Sequence, residues 1–446
     1  MKTPIVDFVR KYQADAPLRL HMPGHKGSPA MGFESADITE IEGADSLYHA
    51  EGIIRESEKN AGTLFGAHSF YSTEGSSLSI RAMLYLAVLY AGEKRQKPCI
   101  LAGRNCHQAF LSSAILLDFE IDWLYPKERD GYLSCTVTKE DVEKRFCERE
   151  DLPTALYITS PDYLGNMQDI AALAEVCHRY GVLLLVDNAH GAYLQFLEPS
   201  RHPIALGADV CCDSAHKTLP ALTGGAYLHV SKTAPSVFRT EAKCAMALFG
   251  STSPSYLILA SLDMLNGYLA EGYREKLASF CQKTALLFKR LHAKGFCLVG
   301  DEPLKLTLLT KPYGYTGKEV ATYLREKDIV AEFADQDNVV LMLTPEVGET
   351  GLVRLENALT ELPKKAPKQA TAPAFSAPAV RMSVRAAALA PREKLSLDAS
   401  VGKVMAVGFG GCPPAVIPIV GGEEISPEAV SCLAYYGITE CAVVKE

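Results

Sequence analysis

An α/β fold with a mainly parallel sheet, covered on both faces, is the architecture this sequence predicts. Two observations carry that expectation. From about residue 60 to 300, short apolar runs alternate with longer stretches of helical period. The runs are continuously apolar rather than alternating, as expected of strands buried on both faces. Runs at 99–102, 155–158, 182–186, 208–212 and 226–230 read as strands, with helices between them such as 76–91 and 169–180. Beyond residue 300 the pattern changes to a small α+β unit, with strands at 304–309, 329–333 and 338–343 and helices at 317–327 and 348–362.

The expected organisation is an N-terminal segment at 1–50, a large domain at 51–298, a small α+β domain at 299–362 and a C-terminal region at 381–446. Residues 363–380, rich in Pro, Ala and Lys, read as an exposed linker or long loop. Gly408-Phe409-Gly410-Gly411-Cys412-Pro413-Pro414 superficially suggests a glycine-rich nucleotide loop, but its prolines remove the N–H groups and helix start such a loop needs.

At 446 residues, 48% hydrophobic and 22% charged, the chain has globular composition and room for two or three cores. A formal charge of −8 argues against a nucleic-acid surface. Met1 to Arg19 shows neither a continuous apolar stretch nor a cleavage site, and no segment reaches the roughly 18 apolar residues of a spanning helix. A soluble cytoplasmic protein is expected. The 13 cysteines are odd in number, lack Cys-x-x-Cys spacing and often sit in apolar runs, so they read as reduced, buried small hydrophobes.

Chemistry gathers at the predicted strand ends, where ligands bind in sheets of this kind. Arg104-Asn105-Cys106-His107, Thr159-Ser160-Pro161-Asp162-Tyr163, Asp187-Asn188-Ala189-His190 and Asp213-Ser214-Ala215-His216-Lys217 follow four successive runs. A lysine and an aspartate at the ends of two successive buried strands can hold pyridoxal phosphate (PLP) from two sides. The amine forms a Schiff base with the aldehyde, and the carboxylate keeps the pyridine nitrogen protonated. Partial burial would lower the lysine's proton affinity in the direction that attack on an aldehyde requires. Ser72-Thr73-Glu74-Gly75-Ser76-Ser77, just before an apolar helix, offers amides and hydroxyls for a phosphate. A plain serine cap would account for Ser76 alone. His107 reads as an imidazole stacked on the cofactor ring or as a satisfied, half-buried side chain.

These motifs resemble the PLP-dependent ornithine/lysine/arginine decarboxylases of fold type I, the aspartate-aminotransferase-like fold, in their short bacterial form. The likeness includes His21-Met22-Pro23-Gly24-His25-Lys26-Gly27, the Ser72–Ser77 and Arg104–His107 runs and Val186-Asp187-Asn188-Ala189-His190-Gly191. It continues through Ser214-Ala215-His216-Lys217-Thr218-Leu219-Pro220, Ser251-Thr252-Ser253-Pro254-Ser255-Tyr256 and Cys412 to Glu423. The resemblance implies decarboxylation of arginine, lysine or ornithine to a di- or polyamine. It makes Lys217 the anchor of PLP, pairs Asp187 with the ring nitrogen and stacks His107 on the ring. Thr73, Gly75, Ser76, Ala189, His190, Ser214 and His216 would complete the cofactor site. Thr252 or Ser253 would reach the phosphate of a neighbouring subunit, so a homodimer with shared sites is expected.

Lys217 or His216 would return the proton to the substrate, and Asp162 or Glu423 would meet its terminal cation. His21 and His25 have metal-like i, i+4 spacing, but Pro23-Gly24 prevents the helix that would align them. No metal is expected there, and the segment reads as a fixed loop near the site. The chain departs from the family pattern at Asn188, usually acidic, at Asp162, where Thr is commoner, and at Cys412 and Ala415, where Tyr and Gly are frequent. The alternatives are another fold type I enzyme, an aminotransferase or lyase, with Arg354 or Arg381 as carboxylate clamp, or a PLP-binding relative with little turnover.

Overall fold

The computed structural model describes residues 1–127, 132–369, 373, 377–408 and 418–445. The run around Gly410 to Pro414, with Cys412 and Ala415, lies outside the described residues, as does part of the expected 363–380 loop. The chain forms two compact units. The first comprises Met1–Pro98, Thr154–Leu156 and Ile170–Ala278, and the second Cys99–Pro153, Tyr157–Asp169 and Ser279–Glu446.

Among the described residues, seven strands precede residue 231: β1 (His68–Ser72), β2 (Cys99–Gly103), β3 (Glu120–Leu124), β4 (Ala155–Thr159), β5 (Leu183–Asp187), β6 (Val210–Asp213) and β7 (Ala226–Val230). Six described strands follow: β8 (Cys297–Val299), β9 (Lys305–Leu309), β10 (Phe333–Ala334), β11 (Asn338–Met342), β12 (Arg392–Ser396) and β13 (Glu440–Val444). Each of the five apolar runs expected as strands before residue 231 is one, within two residues at either end.

In the first unit the strand order is β1-β7-β6-β5. β5 and β6 are parallel, with Asp187 opposite Cys212, while β7 runs antiparallel to both β6 and β1. Both parallel strands are buried along their whole length, as their continuous apolar runs require. The helix Gly75–Glu93 packs along β6 and β7 and is apolar on most of its circumference, with Leu78, Ile80, Met83, Leu84 and Leu86 buried. The helix Pro4–Asp15 lacks a side-chain cap of its own. Asp263, from the helix Tyr256–Ala270, accepts instead from the amides of Ile5 and Val6 at 2.9 and 3.0 Å. Burial raises the Asp263 carboxyl to about 6 despite those bonds.

In the second unit β2 and β3 pair in parallel. A four-stranded antiparallel sheet of order β10-β11-β9-β8 and the helices Gly317–Glu326 and Gly348–Glu361 form the α+β element expected after residue 300. The first of those helices opens on a capping box, Thr316 with Glu319. β10 is two residues long, shorter than the 329–333 run, because Ile329 to Ala331 leave the ladder. β12 and β13 pair antiparallel over a small core of Leu397, Met405, Ile419, Ile425 and Leu433. Residues after Pro363 are exposed yet stitched to the preceding turn: Lys365 N donates to Tyr313 O at 3.2 Å and Lys368 N to Lys311 O at 3.1 Å. No described helix is long and apolar enough to cross a membrane.

Candidate active site

β5 and β6 run in parallel and end at the same edge, so Asp187 and the Lys217 loop leave the sheet side by side. Asp187 is buried, and its Oδ1 accepts from Ala189 N at 3.2 Å and lies 3.5 Å from Cys212 Sγ. That bond closes a tight turn, which Gly191 completes. A Cβ on Gly191 would fall 2.0 Å from Asn188 Oδ1. After β6, Ser214 opens the short helix Ala215–Thr218, and its third residue is Lys217. Lys217 Nζ lies 3.1 Å from His190 Nε2, the last residue of the Asp187 turn. An ammonium has no acceptor, so the lysine donates and His190 carries its own proton on Nδ1.

His216 Nδ1 faces Gly225 O at 2.9 Å, and because a carbonyl only accepts, that nitrogen is the protonated one. Burial lowers the imidazole's proton affinity, more than the Gly225 bond restores. The neutral ring therefore presents Nε2 as a base. A phosphate dianion nearby would reverse this, since an opposite charge favours the imidazolium.

The residues expected to cup a phosphate lie beside the Lys217 loop. Gly75 starts its helix with φ +70 and open space where a Cβ would be. Its own amide donates to Gly224 O at 2.8 Å, so the free donors are the first-turn amides that follow it, at Ser76 and Ser77. Ser214 Oγ donates to Ser76 Oγ at 2.8 Å, joining the Lys217 loop to the helix N-terminus. Thr73 and Ser76 are both buried. Thr252 and Ser253 are exposed, on a loop tied to the cup by Ser251 N donating to Glu74 Oε1 at 2.6 Å.

Sequence reasoning did not single out the cluster behind the lysine. Asp213, wholly buried, accepts from Asn188 Nδ2 at 2.7 Å on one oxygen and from His202 Nε2 at 3.0 Å on the other. His229 Nε2 is 3.3 Å from the same oxygen, off the line of a hydrogen bond, while its Nδ1 meets Ser69 Oγ at 2.8 Å. Burial alone would raise Asp213's pKa, but the two imidazoles outweigh it and hold the carboxyl below the usual range. Asn188 thus meets an acidic group across the strand pair, at Asp213. The two loops that carry Asp187 and Lys217 are joined through it. The partners come from elements 11, 16 and 25 residues away in sequence, which is why no local motif reveals them.

Asp213→Asn is expected to lower the unfolding free energy at pH 7 by about 1 to 3 kcal/mol, the cost of disrupting a buried carboxylate that accepts several hydrogen bonds. Asp213's folded pKa lies below its unfolded value, so its contribution is present above roughly pH 4 and is lost as pH falls further. Urea titrations at pH 7 and pH 3.5 should therefore show the gap to wild type narrowing in acid. A constant gap would remove the charge from this account.

The remaining predicted residues have defined local roles. His21 Nε2 meets Tyr12 OH at 2.6 Å, while His25 Nε2 faces Asp37 Oδ2 at 3.2 Å and its Nδ1 accepts from Gly27 N at 3.0 Å. Each imidazole has its own partner, as a locally fixed loop requires. In the second unit, His107 caps the helix Gln108–Leu117, its Nδ1 accepting from Ala109 N at 3.1 Å. Asp162 is buried with its carboxylate bonded by Leu164 N and Asn166 N, both at 2.9 Å, by Asn166 Nδ2 at 2.8 Å and by Ser134 Oγ. Those donors make it the organiser of its own loop. Glu423 pairs with Arg104 Nη2 at 2.8 Å and accepts from Val420 N at 2.7 Å, while its Oε1 is buried without a hydrogen bond among the described residues. Of the two proposed carboxylates, Glu423 is the one with an unmet oxygen. Burial raises its proton affinity against the pull of Arg104. Arg354 bonds Lys327 O at 2.7 Å and Arg381 pairs with Glu424 at 2.6 Å, so both guanidinium groups are engaged.

The model of the Orn/Lys/Arg decarboxylase major domain matches residues 3–298. An arginine decarboxylase of Halalkalibacterium halodurans is 30% identical over 469 residues, spanning 97% of this chain and 92% of that protein. An arginine decarboxylase of Bacillus subtilis is 28% identical over 462 residues, 96% of this chain and 92% of its own length. The solved constitutive lysine decarboxylase of E. coli superposes with a TM-score of 0.79 at 19% identity, covering 100% of this chain and 82% of that one. That likeness establishes the fold, the α/β fold type I expected from the motifs.

Proposed function

Because the chain belongs to the Orn/Lys/Arg decarboxylase family, we propose that it is a PLP-dependent decarboxylase that removes the α-carboxylate of a basic L-amino acid as carbon dioxide, leaving a di- or polyamine. The observation that carries this reading is the join of Lys217, His190 and Asp187 at one edge of a parallel strand pair, with the Ser214–Ser76 hydroxyls beside an open Gly75. An amine, a buried carboxylate and hydroxyls at a helix N-terminus are the donor set the cofactor calls for. When bound, PLP supplies an electron sink for the bond broken at Cα.

The protein's own residues hold and orient. Lys217 anchors the aldehyde and Asp187 the ring nitrogen, while Thr73, Ser76, Ser214 and the first-turn amides meet the phosphate. Ala189 fixes the Asp187 carboxylate through its amide, and His190 fixes the lysine. Lys217 or His216 would return a proton, and His107 would offer a ring face in the family's manner. Glu423 is the candidate partner for the substrate's distal cation. Thr252 and Ser253 give an exposed pair of hydroxyls to the partner's site in a homodimer.

Arginine is the favoured substrate, because two relatives named arginine decarboxylases each align with more than nine-tenths of this chain. Incubation with arginine, lysine and ornithine in turn, with carbon dioxide and amine both measured, is expected to give agmatine fastest. Amine from lysine or ornithine alone would correct the substrate. Keto acid in place of amine would replace the reaction class.

A further inference from the structure

At the other end of β1 from the cup, the first unit carries a cleft of about 570 Å³ with a cationic wall. Arg55 and Lys59 come from the helix Ile53–Phe65, four residues apart and so on one face, with Gly62 and Thr63 continuing it. His68 opens β1, Lys232 follows β7, and Arg239 lies on the helix Ser236–Thr240. Strand register brings these together, since His68 pairs with Val230, two residues before Lys232. Gly62 lets the helix approach closely; a Cβ there would lie 2.7 Å from Ala67 O.

The charge of this wall is not cancelled. Among the described residues no hydrogen bond or ion pair engages the side chains of Arg55, Lys59, His68, Lys232 or Arg239. The wall's one carboxylate, Glu58, is buried and already held by Lys243 Nζ and by Tyr71 N at 2.9 Å. Burial, then Arg239 and Lys232, lower the proton affinity of His68, as a field of uncompensated positive charge must. This happens on a chain whose formal charge is −8. Two arginines offer planar forks suited to phosphate oxygens, and two lysines offer point charges.

We propose that this cleft is a binding site for a small ligand carrying two or more phosphate groups. Four permanent cations drawn from three elements carry more positive charge than one phosphate neutralises, and the volume suits a nucleotide-sized molecule. The site is distinct from the cofactor cup: β1 separates His68 from Ser72 by four strand steps, about 13 Å. Its occupancy is independent of the decarboxylase reading.

Calorimetry on the holoenzyme, with the cup filled by cofactor, tests the assignment. Inorganic tripolyphosphate and ATP are titrated separately at about 0.15 M salt, where nonspecific attraction is largely screened. Saturable binding at one site per chain is expected, weakened at least tenfold in Lys232→Ser/Arg239→Ser with the cofactor absorbance unchanged. Arg55→Ser, on the helix Ile53–Phe65, provides a second variant should the first fail to fold. Binding of both probes assigns recognition to the phosphate chain, and binding of ATP alone assigns part of it to the nucleoside; either upholds the site. Binding of neither, or binding that both variants leave unchanged, overturns it.

Discussion

Lys217→Ala abolishes amine production and removes the visible absorption of the purified protein together. The expected loss is about a thousandfold or more in kcat, roughly 4 kcal/mol of barrier at 1.36 kcal/mol per decade. Two features make so large an effect specific. Lys217 is the lysine that meets His190 at the edge where Asp187 emerges, and its Nζ lies 3.1 Å from that imidazole. Alanine is also a good helix former, so the short helix Ala215–Thr218 and the Ser214–Ser76 bond should survive the substitution. Circular dichroism and the denaturation midpoint should therefore stay close to wild type while chemistry disappears. Borohydride reduction of the wild type followed by peptide mapping should mark the peptide containing Lys217. A mark on another lysine, or a variant that keeps both colour and turnover, would leave the site without its anchor.

The strands that carry this site were legible because burial on both faces leaves a plain signature. Leu183 to Val186 and Val210 to Cys212 are apolar without interruption, and each run is closed by an aspartate, Asp187 and Asp213. β1 and β3 escaped the same test. His68-Ser-Phe-Tyr-Ser and Glu120-Ile-Asp-Trp-Leu mix polar with apolar positions, as strands exposed on one side do. The direction of β7 was equally hidden, since an apolar run carries no sign of whether its neighbours are parallel.

Ser214, His216 and Lys217 stand out in the sequence because they follow one another within a few residues, and Asp187 because it closes the preceding apolar run. The Ser72–Ser77 run offers amides and hydroxyls in sequence, but only the fold shows that the Gly75 amide is given to Gly224 O, which leaves the amides one and two residues on. Asn188 reads in sequence as a simple loss of acid. In the fold Asn188 donates to the carboxylate of Asp213 on the neighbouring strand, a relation that exists only once the strands pair.

Asp187→Ala is expected to retain part of the cofactor while slowing decarboxylation by two to three orders of magnitude. The binding that survives comes from Lys217 and the phosphate cup, neither of which touches the Asp187 carboxylate. What is lost is a fixed negative charge, already oriented by Ala189 N at 3.2 Å and buried from water, at the place where positive charge must be held on the ring. A preorganised charge in a dry site is worth about 3 to 4 kcal/mol to a transition state, the size of effect expected here. Asn at the same position keeps the turn, because its Oδ1 can still accept from Ala189 N, yet it lacks the charge. Asp187→Asn should thus fold and bind cofactor better than Asp187→Ala while remaining almost as slow. If Asp187→Asn instead turned over at the wild-type rate, the carboxylate would be a turn-forming side chain and the pairing with the ring nitrogen would have to be given up.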